Sequence, residues 1–181
     1  MSRGADPRGR DGFEEFVNAT ADRIYRSAVL LCGDHHLAED LAQTTFAKVY
    51  ANWGRVSSAD SPLAYARTIL MHSFLSHRRL RRSSERPTDS FPETTSSDTW
   101  QAPDDAVRLD LLAALRQLPP RDRAVVVLRY WEDLSVARTA EVLGIRESTC
   151  RGRAARALER LRTLMPDLTT PDDGDDAGER R

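Results

Sequence analysis

Two cysteines, one lysine, four histidines and no long apolar run set the first limits on this sequence of 181 residues. Cys32 and Cys150 stand far apart and outside any CxxC pair, so they form neither a disulfide framework nor a metal signature. Both fall on apolar-face positions of predicted helices and are expected to be buried thiols. His72 and His77 lie five apart rather than four, His35 and His36 are adjacent, and no HExxH motif accompanies them. No metal site, cofactor site or catalytic constellation is therefore expected, and the chain does not read as an enzyme. No stretch approaches the roughly 18 apolar residues that span a bilayer, and MSRGADPRGR lacks the apolar segment of a signal peptide. Membrane insertion is not expected, which leaves the cytoplasm. The single lysine, Lys48, among 27 basic residues is a compositional bias without functional weight.

What is present is charge in blocks. The net charge of −1 hides two basic surfaces: residues 67–82 carry five arginines and no acid, and residues 146–162 carry six arginines against Glu147 and Glu159. Residues 83–105 carry six acids against Arg86, and the end from Asp167 onward carries six acids against Arg180 and Arg181.

The most specific stretch is 134–164, LSVARTAEVLGIRESTCRGRAARALERLRTL, which reads as a short helix, a turn at Leu143-Gly144-Ile145, and a longer arginine-rich helix. This is a helix-turn-helix pattern, whose second helix enters the DNA major groove. Ser135 can cap the first helix, and Gly144 accepts the positive φ of a tight exit. Cys150, Ala154, Ala157, Leu161 and Leu164 recur at steps of four and three, a stripe that must face a core. Arg153, Arg156 and Arg160 flank it on one side, Arg151 and Arg162 on the other. An arginine-rich face taken alone is more often merely solvated. The specified turn and the small residues Gly152, Ala154 and Ala155, which let a backbone come close, favour DNA binding.

The rest of the chain is helical by the same reading. Residues 1–10 are polar and expected to be disordered. Asp11 with Glu14 resembles a capping box opening a helix that runs to Gly33 on Phe13, Phe16, Val17, Ile24, Ala28 and Leu31. A second helix starts at Asp34 and runs to about Asn52 on Leu37, Leu41, Phe46 and Val49, with Trp53 and Gly54 at its exit. Ser61-Pro62 opens a third, with Leu63, Ala66, Ile69 or Leu70, and Phe74 inward, ending at Arg82. Residues 83–105 have no helical period over a length rarely seen in an internal loop and read as a flexible linker. Beyond it Val107, Leu111, Leu112, Leu115 and Leu118 predict a helix ending at Pro119-Pro120. Pro120 opens the next, RDRAVVVLRYWEDL, with Ala124, Val127, Leu128 and Trp131 in the core of the second domain. The expected fold is all-α: a three-helix-core bundle at 11–82 and a four-helix helix-turn-helix domain at 106–165, followed by an acidic disordered tail at 166–181.

From about Phe13 to Leu164 the chain resembles the bacterial RNA polymerase sigma factors of the sigma-70 family, in the small extracytoplasmic-function (ECF) group. HLAEDLAQTTFAKVY (36–50) is similar to the family's polymerase-binding and promoter-opening helices, and PLAYARTILMHSFLSHRRLRR (62–82) to its −10-reading helix. LPPRDRAVVVLRYWEDLS (118–135) with AEVLGIRESTCRGRAARALERLR (140–162) is similar to its −35-reading domain. The resemblance implies an alternative sigma factor that binds core RNA polymerase through its β′ and β subunits, directs it to promoters and assists opening. It also admits an anti-sigma factor as a partner.

By that resemblance Asp40, Gln43 and Thr44 face polymerase. Trp53 and Arg55 lie where a base flipped from the −10 element is held, although capping a core is an equally good reading of the Trp53 indole. Arg67, His72, Arg78, Arg79, Arg81 and Arg82 track phosphates and the edge of the opening duplex. Arg146, Ser148, Thr149, Arg151, Gly152, Arg153, Ala155 and Arg156 lie nearest the groove of the −35 element, Arg151 and Arg153 as phosphate clamps and Arg156 as a base reader. The chain departs from the family's usual residues at Thr44, His72, Gly152 and Ala155. The competing reading is a two-domain regulator that binds an operator as a dimer without polymerase.

Overall fold

The computed structural model describes residues 7–84 and 105–166, and every regular element among them is helical. Helix α1 spans Pro7–Cys32. It begins earlier than the expected start at Asp11, because proline at the first helical position brings a preset φ and lacks only an N–H that would be unbonded there. Asp11 and Glu14 therefore lie inside the helix rather than at its start, and residues 7–10 belong to it. Gly33 ends α1 in the left-handed region, at φ 67°, with its N–H on the Val29 carbonyl at 2.7 Å.

Helix α2, His35–Ala51, is capped by Asp34, whose carboxylate accepts from the Leu37 N–H at 2.8 Å. A one-turn helix α3, Trp53–Val56, follows where only a chain exit was expected. Helix α4, Pro62–Ser84, opens as predicted, with the Ser61 hydroxyl accepting from the Ala64 N–H at 3.2 Å, and continues two residues past Arg82. Ile24, Ala28 and Leu31 of α1, Ala38 and Val49 of α2, and Ala66, Leu70 and Phe74 of α4 are fully buried between these helices. Each large one among them stabilises the fold by about 1.5–3 kcal/mol relative to exposure.

The second domain opens with α5, Asp105–Gln117, and α6, Pro120–Val126, with Pro120 in the first helical turn. The predicted helix through WEDL does not continue as α. After Val126 it widens into a π-helical segment, Val127–Trp131, closed by Glu132 N–H on the Val127 carbonyl at 2.9 Å. Val127 and Leu128 stay buried, Tyr130 is exposed, and Trp131 packs half-buried on the shared core, its indole N–H donating to Ser27 Oγ of α1 at 3.1 Å. Asp133 follows with a positive φ of 52°.

Helices α7, Val136–Leu143, and α8, Glu147–Leu164, form the expected helix-turn-helix. Ser135 Oγ accepts from the Arg138 N–H at 3.2 Å, and Gly144 adopts φ 61°, ψ 40°. The Ile145 N–H returns to the Ala140 carbonyl at 3.0 Å, which satisfies the end of α7 and aims α8 away from it. Cys150, Ala154 and Ala157 of the predicted stripe are buried, while Leu161 and Leu164 are half-buried.

The two domains are not merely tethered. Leu112, Leu115, Leu118, Leu128, Val142 and Ala157 of the second domain belong to the same hydrophobic cluster as Ile24, Leu31, Leu70 and Phe74 of the first. The expected linker is shortened by the ends of α4 and α5, and its remainder at 85–104 lies outside the described residues, as does the acidic tail from 167.

Candidate polymerase and nucleic-acid surfaces

Asp40, Gln43 and Thr44 are exposed together on α2, opposite the buried Ala38, Leu41, Ala42 and Thr45. The four-residue spacing of the buried set is what turns the acid, the amide and the hydroxyl outward. Among the described residues no hydrogen bond or ion pair engages any of the three side chains.

Trp53 packs into an aromatic group at the end of the bundle. Its ring centroid lies 5.4 Å from Phe13 and 5.2 Å from Phe16, within reach of edge and tilted aromatic contacts. Of the two roles read for this indole, packing is the one with visible contacts. Arg55 beside it is exposed.

The basic helix α4 divides into two parts. Arg79 is exposed and Arg78 half-buried near its end, and the side chains of Arg81 and Arg82 lie outside the described residues. Nearer its start, Arg67 is only 8% exposed, with Nη2 2.9 Å from Oε2 of Glu132. His72 is exposed as a residue but its Nε2 lies 3.0 Å from the Val142 carbonyl of α7. Arg67 and His72, both expected on DNA, thus contact the second domain in this structure, along the middle of α4.

On α8 the geometry separates the arginines by what they already hold. Arg146, Ser148, Thr149, Arg151, Ala155 and Arg156 are exposed, and Gly152 is half-buried. Arg151 pairs with Glu147 one turn earlier at 2.8 Å, an exposed contact of little energy that a phosphate can displace. Arg153 is half-buried and hydrogen-bonded to the nearly buried Asp122 of α6, so it fastens the recognition helix to its support. Arg156 reaches back over Gly152, where an added Cβ would lie 3.5 Å from its Nη1.

Sequence reading missed a set of residues that join the domains. Glu132, with a fully buried side chain, receives Arg23 Nε and Nη2 on Oε2, each at 2.9 Å, and the Ser27 hydroxyl on Oε1 at 2.5 Å. Arg123 is 2% exposed and donates to the carbonyls of Leu31 at 2.6 Å, Arg116 at 2.6 Å and Leu118 at 3.1 Å. Burial, then the charge of Arg78, lowers its guanidinium to about 10, which still leaves it charged at neutral pH. Cys150 is buried as expected and Cys32 only half-buried; desolvation pushes the Cys32 thiol up to about 11 and raises that of Cys150, which favours the protonated form of both. No signal within a single element points to Glu132 or Arg123, whose partners are distant in the chain.

Among the described residues no cluster of three His, Cys, Asp or Glu side chains could hold a metal ion, and no helix is long and apolar enough to cross a membrane.

Comparison with known proteins places these surfaces in a family. Residues 16–84 match Sigma-70 region 2 and residues 108–161 match Sigma-70, region 4, in the same order along the chain. The RNA polymerase sigma-E factor of Streptomyces coelicolor is 38% identical over 151 residues, covering 83% of this chain and 84% of its own. The ECF RNA polymerase sigma factor SigE of Mycolicibacterium smegmatis is 32% identical, covering 88% of this chain and 64% of that protein. Among solved structures, the sigma factor RpoE in complex with the anti-sigma factor NepR from Bartonella quintana superposes with a TM-score of 0.71 at 25% identity. That likeness covers 86% of this chain and 98% of RpoE. The chain belongs to the sigma-70 family of RNA polymerase sigma factors, in its extracytoplasmic-function group.

Proposed function

We infer that this protein is an alternative sigma factor that joins core RNA polymerase through the exposed Asp40, Gln43 and Thr44 strip of α2. In this reading α4, with Arg55, Arg67, His72, Arg78, Arg79, Arg81 and Arg82, meets the −10 element, and α8 reads the −35 element through Arg146, Ser148, Thr149, Arg151 and Arg156. The observation that carries it is the helix-turn-helix α7–α8, with its exposed arginine face, following a region 2 bundle in the family's order. The protein supplies recognition and leaves chemistry to the polymerase. It acts in the cytoplasm, where promoter and core enzyme are found. An anti-sigma factor is a further partner, supported by the complex in which RpoE was solved.

The test is gel filtration of full-length protein with purified core polymerase, followed by footprinting on a promoter fragment. Co-elution, with protection of the −35 and −10 regions only when core is present, supports the reading. Tight operator protection by the protein alone, without co-elution, would assign it instead to the dimeric regulators.

A further inference from the structure

The carboxylate of Glu132 sits among donors that all come from the other domain. Arg23 and Ser27 are one turn apart on α1, Arg67 comes from α4, and together they present two guanidinium groups and a hydroxyl to one anion. Arg67 Nε is buried with no partner, so the wall holds one more donor than the carboxylate uses. Glu132 reaches this wall from the end of the π-helical segment, next to the positive φ of Asp133, the least regular backbone among the described residues of the second domain. The arrangement is an anion site on the first domain filled by a side chain of the second.

We propose that Arg23, Ser27 and Arg67 form a binding site for a backbone phosphate of promoter DNA, and that Glu132 occupies it when the two domains are closed on one another. DNA and the second domain then compete for the same donors. The inference rests on the reading of α4 as a DNA-facing helix. Closure also lays α7 against His72, through the Val142 carbonyl, so the face of α4 nearest the site becomes free only when the domains part. Two fork-like guanidinium groups and a hydroxyl suit the two free oxygens of a phosphodiester as well as they suit a carboxylate. A site of this kind contributes affinity and salt dependence rather than sequence preference.

The experiment uses the full-length protein, small-angle X-ray scattering for its dimensions, and a fluorescein-labelled forked DNA duplex as the binding probe. Glu132→Gln should enlarge the radius of gyration and bind the probe roughly tenfold tighter, the gain expected when a competent state rises from about a tenth of the population to nearly all of it. Arg23→Gln should also loosen the closed form, yet gain no affinity and show a salt slope shallower by about one charge. The double variant should be open and bind no better than wild type. Should Glu132→Gln lose helical content, Glu132→Asp, which keeps the charge but shortens the reach, is read in the same way. Opening without tighter binding would overturn the proposal, as would equal tightening by Arg23→Gln and Glu132→Gln, or no opening at all. Promoter-specific transcription by wild-type protein with core polymerase reports separately on the underlying reading. If that persists while these shifts are missing, only the phosphate site fails.

Discussion

Arg123 donates through Nη1 to the carbonyl of Leu31 at 2.6 Å, so a buried cation of the second domain closes the C-terminal end of the first domain's longest helix. The last carbonyls of a helix have no partner within it, and carry the negative end of its dipole. A guanidinium that also takes the Arg116 and Leu118 carbonyls thus ends two helices at once.

Arg123→Ala should therefore destabilise the protein by about 3 kcal/mol, since three buried carbonyls lose a charged donor. Arg123→Lys, which can reach fewer of them, should fall between. Urea denaturation followed by circular dichroism measures both, and a wild-type midpoint for Arg123→Ala would contradict the assignment.

Gly144→Ala should cost roughly 1–2 kcal/mol, because φ is 61° there while an added Cβ meets nothing within 4 Å. The penalty is conformational and not steric, so Gly144→Asn, which tolerates the left-handed region, should recover most of it. Thermal melts of the two variants should differ in that order.

Substitutions on α8 should separate into kinds. Arg156→Ala should relax preference at one −35 position by roughly 1–3 kcal/mol without loss of stability. Arg151→Ala should weaken all promoters alike and reduce the salt slope by about one charge. Arg153→Ala should lower the melting temperature as well, since it leaves the nearly buried Asp122 unpaired. Binding of each variant, held on core polymerase, to a library of −35 sequences distinguishes the three.

Asp40→Arg together with Gln43→Ala should weaken competition for core polymerase at least tenfold, a cost of about 1.4 kcal/mol, and leave the melting curve unchanged, because both side chains are exposed. Undiminished competition by this folded double variant would move the interface elsewhere on the protein.

The parts of this molecule that could be read in advance are those whose physics is local. Ser135 and Gly144 mark the two ends of α7 through capping and a positive φ, and Cys150, Ala154 and Ala157 mark the inner face of α8 by spacing alone. The helical classes and the two-domain order followed from such signals. Val127 and Leu128 are buried as expected, and Trp131 packs on the core half-buried, but it does so against Ser27 of α1, and neither VVVL nor RYW announces the π-helical segment or that partner. Glu132, Arg23 and Arg123 were missed for another reason: each is an ordinary charged residue on its own helix and acquires meaning only when the domains meet. The same closure gives Arg67 and His72, read as DNA-facing, contacts with Glu132 and the Val142 carbonyl that spacing on α4 does not announce. Pattern along a chain reports which face of a helix is buried, and does not report which partner buries it.

Run-off transcription with purified core polymerase on a library of linear promoter fragments tests the central claim most directly. Full-length protein should convert a core enzyme that initiates nonspecifically into one that starts at a defined distance from a shared −35 and −10 pair, and Arg156→Ala should broaden that pair at its upstream element. Transcription that starts at the same sites with and without the protein would contradict the account.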